Sequence, residues 1–351
     1  MKKDYFPEYG SDYHFCTNAI GNSVTNITAC KSSFFGNCRH ALQHLLSSHS
    51  WKRIWLPFYY CYDVVDAIRE TGIHVSFYAD SPMADDVSVI SKIRFHKNDV
   101  LLRMNYFGLR SWRDNHDVPV PVIEDHSHDL TGQWARKSNA QWVVASLRKT
   151  LPLPEGGILW SPLNLPLPPS LLQTTSNELL CYKRLTAMLL KTLWLQSHPI
   201  CKDDFRQLYM QTESDFELLG KSDMAACCKK LLSQMDAGSW YHQKRQNWKR
   251  FSSLISDKVS LLQPENFRTC NPYSWILQCR SKTERDELKE RLISHHIYPA
   301  ILWQIPIDDF PEIVSLSQTL LSIPCDARYS ATDIQFLISR IKEQINRKSN
   351  V

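Results

Sequence analysis

Ser146-Leu147-Arg148-Lys149-Thr150-Leu151-Pro152-Leu153-Pro154-Glu155-Gly156-Gly157 is the stretch on which the reading of this chain turns. It begins where the apolar run Trp142-Val143-Val144-Ala145 ends, and an earlier run, Pro121-Val122-Ile123-Glu124, ends on Asp125. Short apolar runs bounded by polar residues read as buried strands. Lys149 then lies just past one strand end and Asp125 at another. A lysine amine, a carboxylate and the hydroxyl of Ser146 placed together are what pyridoxal phosphate requires: an amine for its aldehyde, an acid partner for its pyridine nitrogen and a donor for its phosphate. The plainer alternatives are a turn cap for Asp125 and a solvated side chain for Lys149. Their joint placement favours the cofactor.

Working outward, Arg53-Ile54-Trp55-Leu56-Pro57 reads as a strand, Tyr62 to Thr71 as a helix stopped by Gly72, and Ile73 to Tyr78 as the next strand. A polar helix over Asp85 to Arg94 and the strand Val100-Leu101-Leu102-Arg103-Met104 continue the alternation. Strands separated by helix-length segments imply crossover connections and a mainly parallel sheet covered on both faces, whose ligands sit at the carboxyl ends of the strands. After Gly157, Pro162, Pro166, Pro168 and Pro169 mark an irregular connection. Helical patterns follow over Ser176 to Ser197 and Asp223 to Ser256. The strand Tyr273 to Gln278, the helix Lys282 to Ser294, the strand Leu320 to Ile323 and the helix Ala331 to Arg347 then read as a smaller α/β lobe. The expected division is a large cofactor-binding domain over 1–235, with a helical bridge from about 170, and a small domain over 236–351.

A chain of 351 residues with 43% apolar content and 11 tryptophans can bury a large core. Its formal charge of +5, from 41 basic and 36 acidic side chains, predicts no nucleic-acid stripe. The longest apolar run, around Ala187 to Leu195, is interrupted by Lys191 and falls short of the roughly 20 residues of a membrane span. Met1-Lys2-Lys3-Asp4-Tyr5 is followed by no apolar signal core, and the 11 scattered cysteines, Cys227-Cys228 adjacent, suit a reducing cytoplasm. Glu124-Asp125-His126-Ser127-His128-Asp129 has two histidines that would face the same way on an extended segment, but no Cys/His cluster completes a shell at a recognisable spacing. No metal is therefore expected.

The residues in order also resemble the sugar aminotransferases of the DegT, DnrJ, EryC1 and StrS group, closest to a divergent branch with a Ser-Leu-Arg-Lys-Thr-Leu-Pro lysine motif. The resemblance rests on Asn37-Cys38-Arg39-His40-Ala41-Leu42, Leu56 to Cys61, Asn105-Tyr106-Phe107-Gly108, Ile123 to His128, the lysine motif, Arg245-Gln246-Asn247 and Ile323-Pro324 with Arg328-Tyr329. It implies a fold-type-I transferase with a seven-stranded sheet and a smaller C-terminal domain, acting as a homodimer. Lys149 would carry the pyridoxal phosphate and move the proton, Asp125 would face the pyridine nitrogen, His128 the ring hydroxyl, and Ser146, Cys38 and Arg39 the phosphate. Tyr60 would stack on the ring by its chemistry, although Cys61 holds that place by count. Arg328 and Tyr329 would contact substrate. The chain departs from the group in its serine, three rather than five residues before the lysine, and in Cys38-Arg39, which replace glycine-threonine.

What the resemblance implies is transfer of an amino group from a donor such as glutamate to a nucleotide-linked keto-sugar used in surface polysaccharide. A dehydrating relative would carry histidine in place of Lys149. A non-catalytic descendant, or an enzyme of another reaction type using the same cofactor, is the remaining alternative.

Overall fold

The computed structural model describes residues 8–21, 30–251 and 259–346. The N-terminal Met1-Lys2-Lys3-Asp4-Tyr5, the far end of the helix expected to reach Ser256 and the terminal Arg347 lie outside them. After a two-residue strand, β1 (Tyr9–Gly10), the chain lays down β2 (Ser32–Phe35), β3 (Arg53–Pro57), β4 (His74–Tyr78), β5 (Asp99–Met104), β6 (Val122–Asp125), β7 (Trp142–Ser146) and β8 (Gly157–Trp160). β2 to β8 form one seven-stranded sheet in the order β2-β8-β7-β6-β5-β3-β4. Helices α1 (Cys38–Ser47), α2 (Tyr62–Arg69), α3 (Asp86–Ile90), α4 (Gln133–Lys137) and α5 (Leu147–Thr150) occupy its connections.

β4, β3, β5, β6 and β7 pair in parallel, and β8 is antiparallel to both its neighbours. The reason is length. Ten residues separate Ser146 from Gly157, fewer than the dozen or so a parallel crossover needs, so the chain turns back. Alternate strand residues enter different cores. Val100, Leu102, Ile123, Val144 and Leu159 pack with Leu42, Leu45, Val65 and Ile68, while Leu101, Val122, Val143, Ala145 and Ile158 pack with Leu130, Ala135 and Met224. That period of two is the signature of a sheet covered on both faces. Each fully buried aliphatic side chain contributes about 1.5–3 kcal/mol.

The expected helix over Asp85 to Arg94 closes at Ile90; its β-branched Val87, Val89 and Ile90 are poor helix formers. Beyond the sheet, α6 (Thr175–Leu195) starts at Thr174, whose side chain accepts from the Asn177 N–H at 3.2 Å, and α7 (Lys202–Leu218) packs along it. The helix expected over Asp223 to Ser256 is two helices, α8 (Ala226–Ser233) and α9 (Ala237–Phe251). Asp236 breaks it by accepting from the Ser239 N–H at 3.0 Å, a capping bond that competes with helix continuation.

The C-terminal strands β9 (Val259–Leu261) and β10 (Trp275–Cys279) are followed by α10 (Lys282–Ser294), β11 (Ile297–Tyr298), α11 (Pro311–Thr319), β12 (Leu320–Ile323) and α12 (Ala331–Asn346). Their sheet is antiparallel, in the order β12-β10-β9, and β11 pairs in parallel with β1. Trp275, Leu288, Leu292, Ile334, Leu337 and Ile341 form its core together with Trp248 and Phe251 of α9. The same helix reaches the central sheet: the indole N–H groups of Trp240 and Trp248 donate to the carbonyls of Thr150 (2.9 Å) and Ser274 (3.0 Å). α9, which begins beside the expected boundary at 235, thus contacts both the α5 turn and the C-terminal strands.

The contact between sheet and C-terminal segment is tight at Gly108. Its φ is +66°, and a Cβ there would lie 2.5 Å from the Asn271 carbonyl oxygen. Gly72, at φ +79°, has nothing within 4 Å. Urea unfolding should show Gly72→Ala costing about 1 kcal/mol, the backbone strain alone, and Gly108→Ala distinctly more. Equal costs would mean that the Gly108 contact yields freely.

Candidate active site

β6 ends on Asp125 and β7 on Ser146, side by side at the carboxyl edge of the sheet, and α5 begins at once and carries Lys149. These ends, with the start of α1, enclose a cavity of about 500 Å³ lined by Asn37, Cys38, Arg39, Tyr60, Cys61, Asp125, Ser127, Ser146, Lys149 and Trp303 among others. Of the expected cofactor residues only His128 does not line it. His128 is fully buried and stacks against Trp303, which does, at 5.3 Å between ring centres.

Asp125 is fixed from two sides. Its Oδ1 accepts from the Ser127 N–H at 2.8 Å and its Oδ2 from the Tyr60 hydroxyl at 2.5 Å. A carboxylate offers about four acceptor positions, so room remains for a ring N–H. Tyr60 therefore meets Asp125 through its hydroxyl, whose proton is held far above its ordinary pKa by burial and then by the Asp125 charge. Lys149 Nζ stands 5.1 Å from the centre of the Trp303 ring.

His128 Nδ1 accepts the Phe107 N–H at 3.1 Å. Burial, then Lys149 and Lys244, hold its pKa well below 6.5, so the ring is neutral with its proton on Nε2. Among the described residues that buried Nε2 has no hydrogen-bond partner. The remaining histidine of the run goes elsewhere: His126 Nε2 bonds Glu124 at 3.0 Å and its ring meets Trp134 edge-on. Because the strand ends at Asp125 and turns, His126 and His128 do not converge as an extended segment would make them.

At the other end of the cavity, Asn37 caps α1 by accepting the His40 N–H at 2.9 Å. The first N–H groups of the helix, from Cys38 and Arg39, have no acceptor in a preceding turn. The Ser127 hydroxyl accepts the Ser146 N–H at 2.9 Å and lies 3.9 Å from Cys38 Sγ, tying the end of β7 to the helix start. The paired glycines serve this junction. A Cβ on Gly157 would lie 2.3 Å from the Asn37 carbonyl oxygen, and Gly156 has φ +128°. Their freedom lets the backbone pass the start of α1.

Arg148 is committed to Glu213 of α7, at 2.5 and 3.0 Å, and Arg184 shares that carboxylate at 3.0 Å. Burial raises the Glu213 pKa, but the two arginines outweigh it and hold it at about 2. Arg328 and Tyr329 do not line the cavity. Arg328 is clamped by Asp326 at 2.8 and 2.9 Å and reaches the carbonyl of Asp12, while the Tyr329 hydroxyl accepts the Gly10 N–H at 2.7 Å. Asp12 itself lines the cavity, so the pair bonds a segment that reaches it.

Ser127, Asn37, Trp303 and Glu213 were not singled out in the sequence. Asn37 carries the one local signal, a capping residue just before a helix. Ser127 lies two residues past Asp125, in a run read for its histidines and its aspartate, and Trp303 and Glu213 come from segments distant in sequence.

The donor set suits pyridoxal phosphate: a lysine amine, a carboxylate with spare acceptor capacity, hydroxyls and a helix N-terminus in one cavity, with an unpartnered imidazole N–H close by. No family model matches the sequence, and no curated protein does. Solved structures do match in shape. Spr1654 of Streptococcus pneumoniae, solved in a PLP form, aligns with a TM-score of 0.63 at 12% identity over 97% of this chain and 99% of its own. DesI, solved with its TDP-sugar product, gives 0.63 at 15% over 92% and 83%. The sugar aminotransferase CalS13 from Micromonospora echinospora gives 0.56 at 13% over 89% and 87%. Across nearly its whole length, the chain has the fold-type-I architecture of the pyridoxal-phosphate-dependent aminotransferases.

Proposed function

We propose that this chain is a pyridoxal-phosphate-dependent aminotransferase that moves an amino group from a donor such as glutamate to a nucleotide-linked keto-sugar. The observation that carries the reading is the convergence of Lys149, Asp125, Ser146 and the start of α1 on one cavity at the strand ends of this fold. When bound, the cofactor supplies an electron sink for the carbon that loses its proton. The protein's part is to hold and move charge. Asp125 would keep a proton on the ring nitrogen, and the first N–H groups of α1 with Arg39 and Ser146 would take the phosphate, while His128, which does not line the cavity, would act on the site through Trp303, on which it stacks. Lys149 Nζ accepts the substrate proton and returns it. Trp303, beside that amine, keeps water from it.

In this reading Arg328 and Tyr329 position the segment around Asp12 rather than touch substrate. The protein works as a cytoplasmic homodimer. Among the described residues no helix is long and apolar enough to cross a membrane. The sugar substrate is taken from the resemblance to enzymes such as DesI, whose structure holds a TDP-sugar product.

Borohydride reduction of the cofactor-loaded protein followed by peptide mapping should place the pyridoxyl group on Lys149. A label on another lysine would remove the mechanism. Asp125→Asn should fold, since the asparagine Oδ1 can still accept from the Ser127 N–H while its Nδ2 donates to the Tyr60 hydroxyl oxygen, yet slow the half-reaction with an amino donor about 10- to 100-fold. That is the loss of one charge-assisted interaction of roughly 1.5–3 kcal/mol. An unchanged rate would make Asp125 structural. Arg39→Ala should weaken cofactor binding about tenfold in a titration of the visible band, and Arg39→Lys should restore only part, since lysine lacks the forked donor. A titration that does not shift would place the phosphate elsewhere.

A further inference from the structure

Away from the cavity, the loop that carries Lys149 ends in a second group of reactive side chains. Glu155 and the thiols of Cys181 on α6 and Cys228 on α8 are all fully buried, and one carboxylate oxygen and the two Sγ atoms lie within 4.8 Å of one another. Cys227 Sγ lies 3.4 Å from Cys181 Sγ, and its residue is only partly buried, giving the group a route to solvent. We infer that Glu155, Cys181 and Cys228 form a three-ligand binding site for a soft divalent cation of the Zn(II) class, with water at the fourth position.

Three observations carry this. Tetrahedral zinc, with bonds of about 2.3 Å to sulfur and about 2.0–2.2 Å to oxygen, places its ligand atoms about 3.5–3.8 Å apart. Closing the present set onto a metal takes shifts of about an ångström. Secondly, Glu155 is a buried carboxylate to which no lysine or arginine is paired among the described residues: the nearby Lys229 bonds Asp223 at 2.5 Å. An unpaired buried carboxylate is costly, and a cation removes the cost. Thirdly, the carboxylate is already oriented as ligating carboxylates are. Its two oxygens accept from the Ala225 N–H at 2.6 Å and Asn177 Nδ2 at 2.9 Å, which fixes the plane while leaving lone pairs free. Asn177 Oδ1, at the same place, is buried without a partner among the described residues.

Thiolate ligands select zinc over magnesium or calcium. Each thiol that binds gives up its proton to solvent and both electrons of the new bond come from sulfur, so no oxidant is needed. The metal would join the Lys149 loop to α6 and α8.

The test uses Co(II) as a spectroscopic stand-in on the full-length protein, reduced and stripped of metal. The expected result is one Co(II) per chain with a sulfur-to-metal charge-transfer band, displaced by Zn(II), and a thermal midpoint raised by Zn(II). Cys181→Ser and Cys228→Ser should each weaken Co(II) binding about tenfold or more, and Cys201→Ser, an exposed thiol outside the group, should not. Absence of the band in the unaltered protein overturns the site whatever the variants do. So does a band that survives Cys181→Ser, or a reduced protein that binds no metal yet forms a Cys181–Cys227 disulfide on exposure to air.

Discussion

The short span between β7 and β8 is the constraint on which the site depends. Ten residues cannot return over a sheet face, so β8 must reverse beside β7. The reversal carries Gly156 and Gly157 against the carbonyl of Asn37 and sets the single turn of α5 at the sheet edge. A longer connection would allow β8 to run parallel and would separate Lys149 from the start of α1. The position of the amine, the side on which α1 approaches and the tolerance for side chains at 156 and 157 are one geometric fact seen from three sides.

Much of this was legible. The strands from β3 to β7 and the helices α6, α10 and α12 show as apolar runs and helical periods because burial on two faces, or on one stripe, leaves a pattern within a single segment. Asp125, Ser146 and Lys149 were legible for the same reason, since each stands at the end of such a run. α7 was not. Its buried stripe of Phe205, Tyr209, Thr212 and Phe216 includes a polar member, and its surface is densely charged. The break at Asp236 was missed because the capping bond, not the apolar pattern, ends the helix.

Other features were hidden because the information lies in pairs of distant residues. Arg103 interrupts an otherwise apolar strand and is nevertheless buried, held by Asp86 at 2.6 and 3.2 Å. Asp86 is also bonded by Arg113 at 2.7 Å. Burial raises the Asp86 pKa, but Arg110, Arg103 and Arg113 together hold it at about 2. Nothing local in the sequence joins these charges. The thiols near Glu155 are similar: their spacing along the chain matches no metal motif, because the ligands come from a loop and two separate helices. Trp303 enters the cavity from the segment after β11, beyond any periodic signal.

α9 gives the molecule a mechanical property. One rigid rod is bolted at Trp240 to the carbonyl of Thr150, next to Lys149, and at Trp248 to the carbonyl of Ser274 in the C-terminal body. A shift of the C-terminal strands against the sheet would be felt at Thr150, the neighbour of Lys149, because one helix carries both bonds. The C-terminal strands are thus part of what fixes the carbonyl beside Lys149.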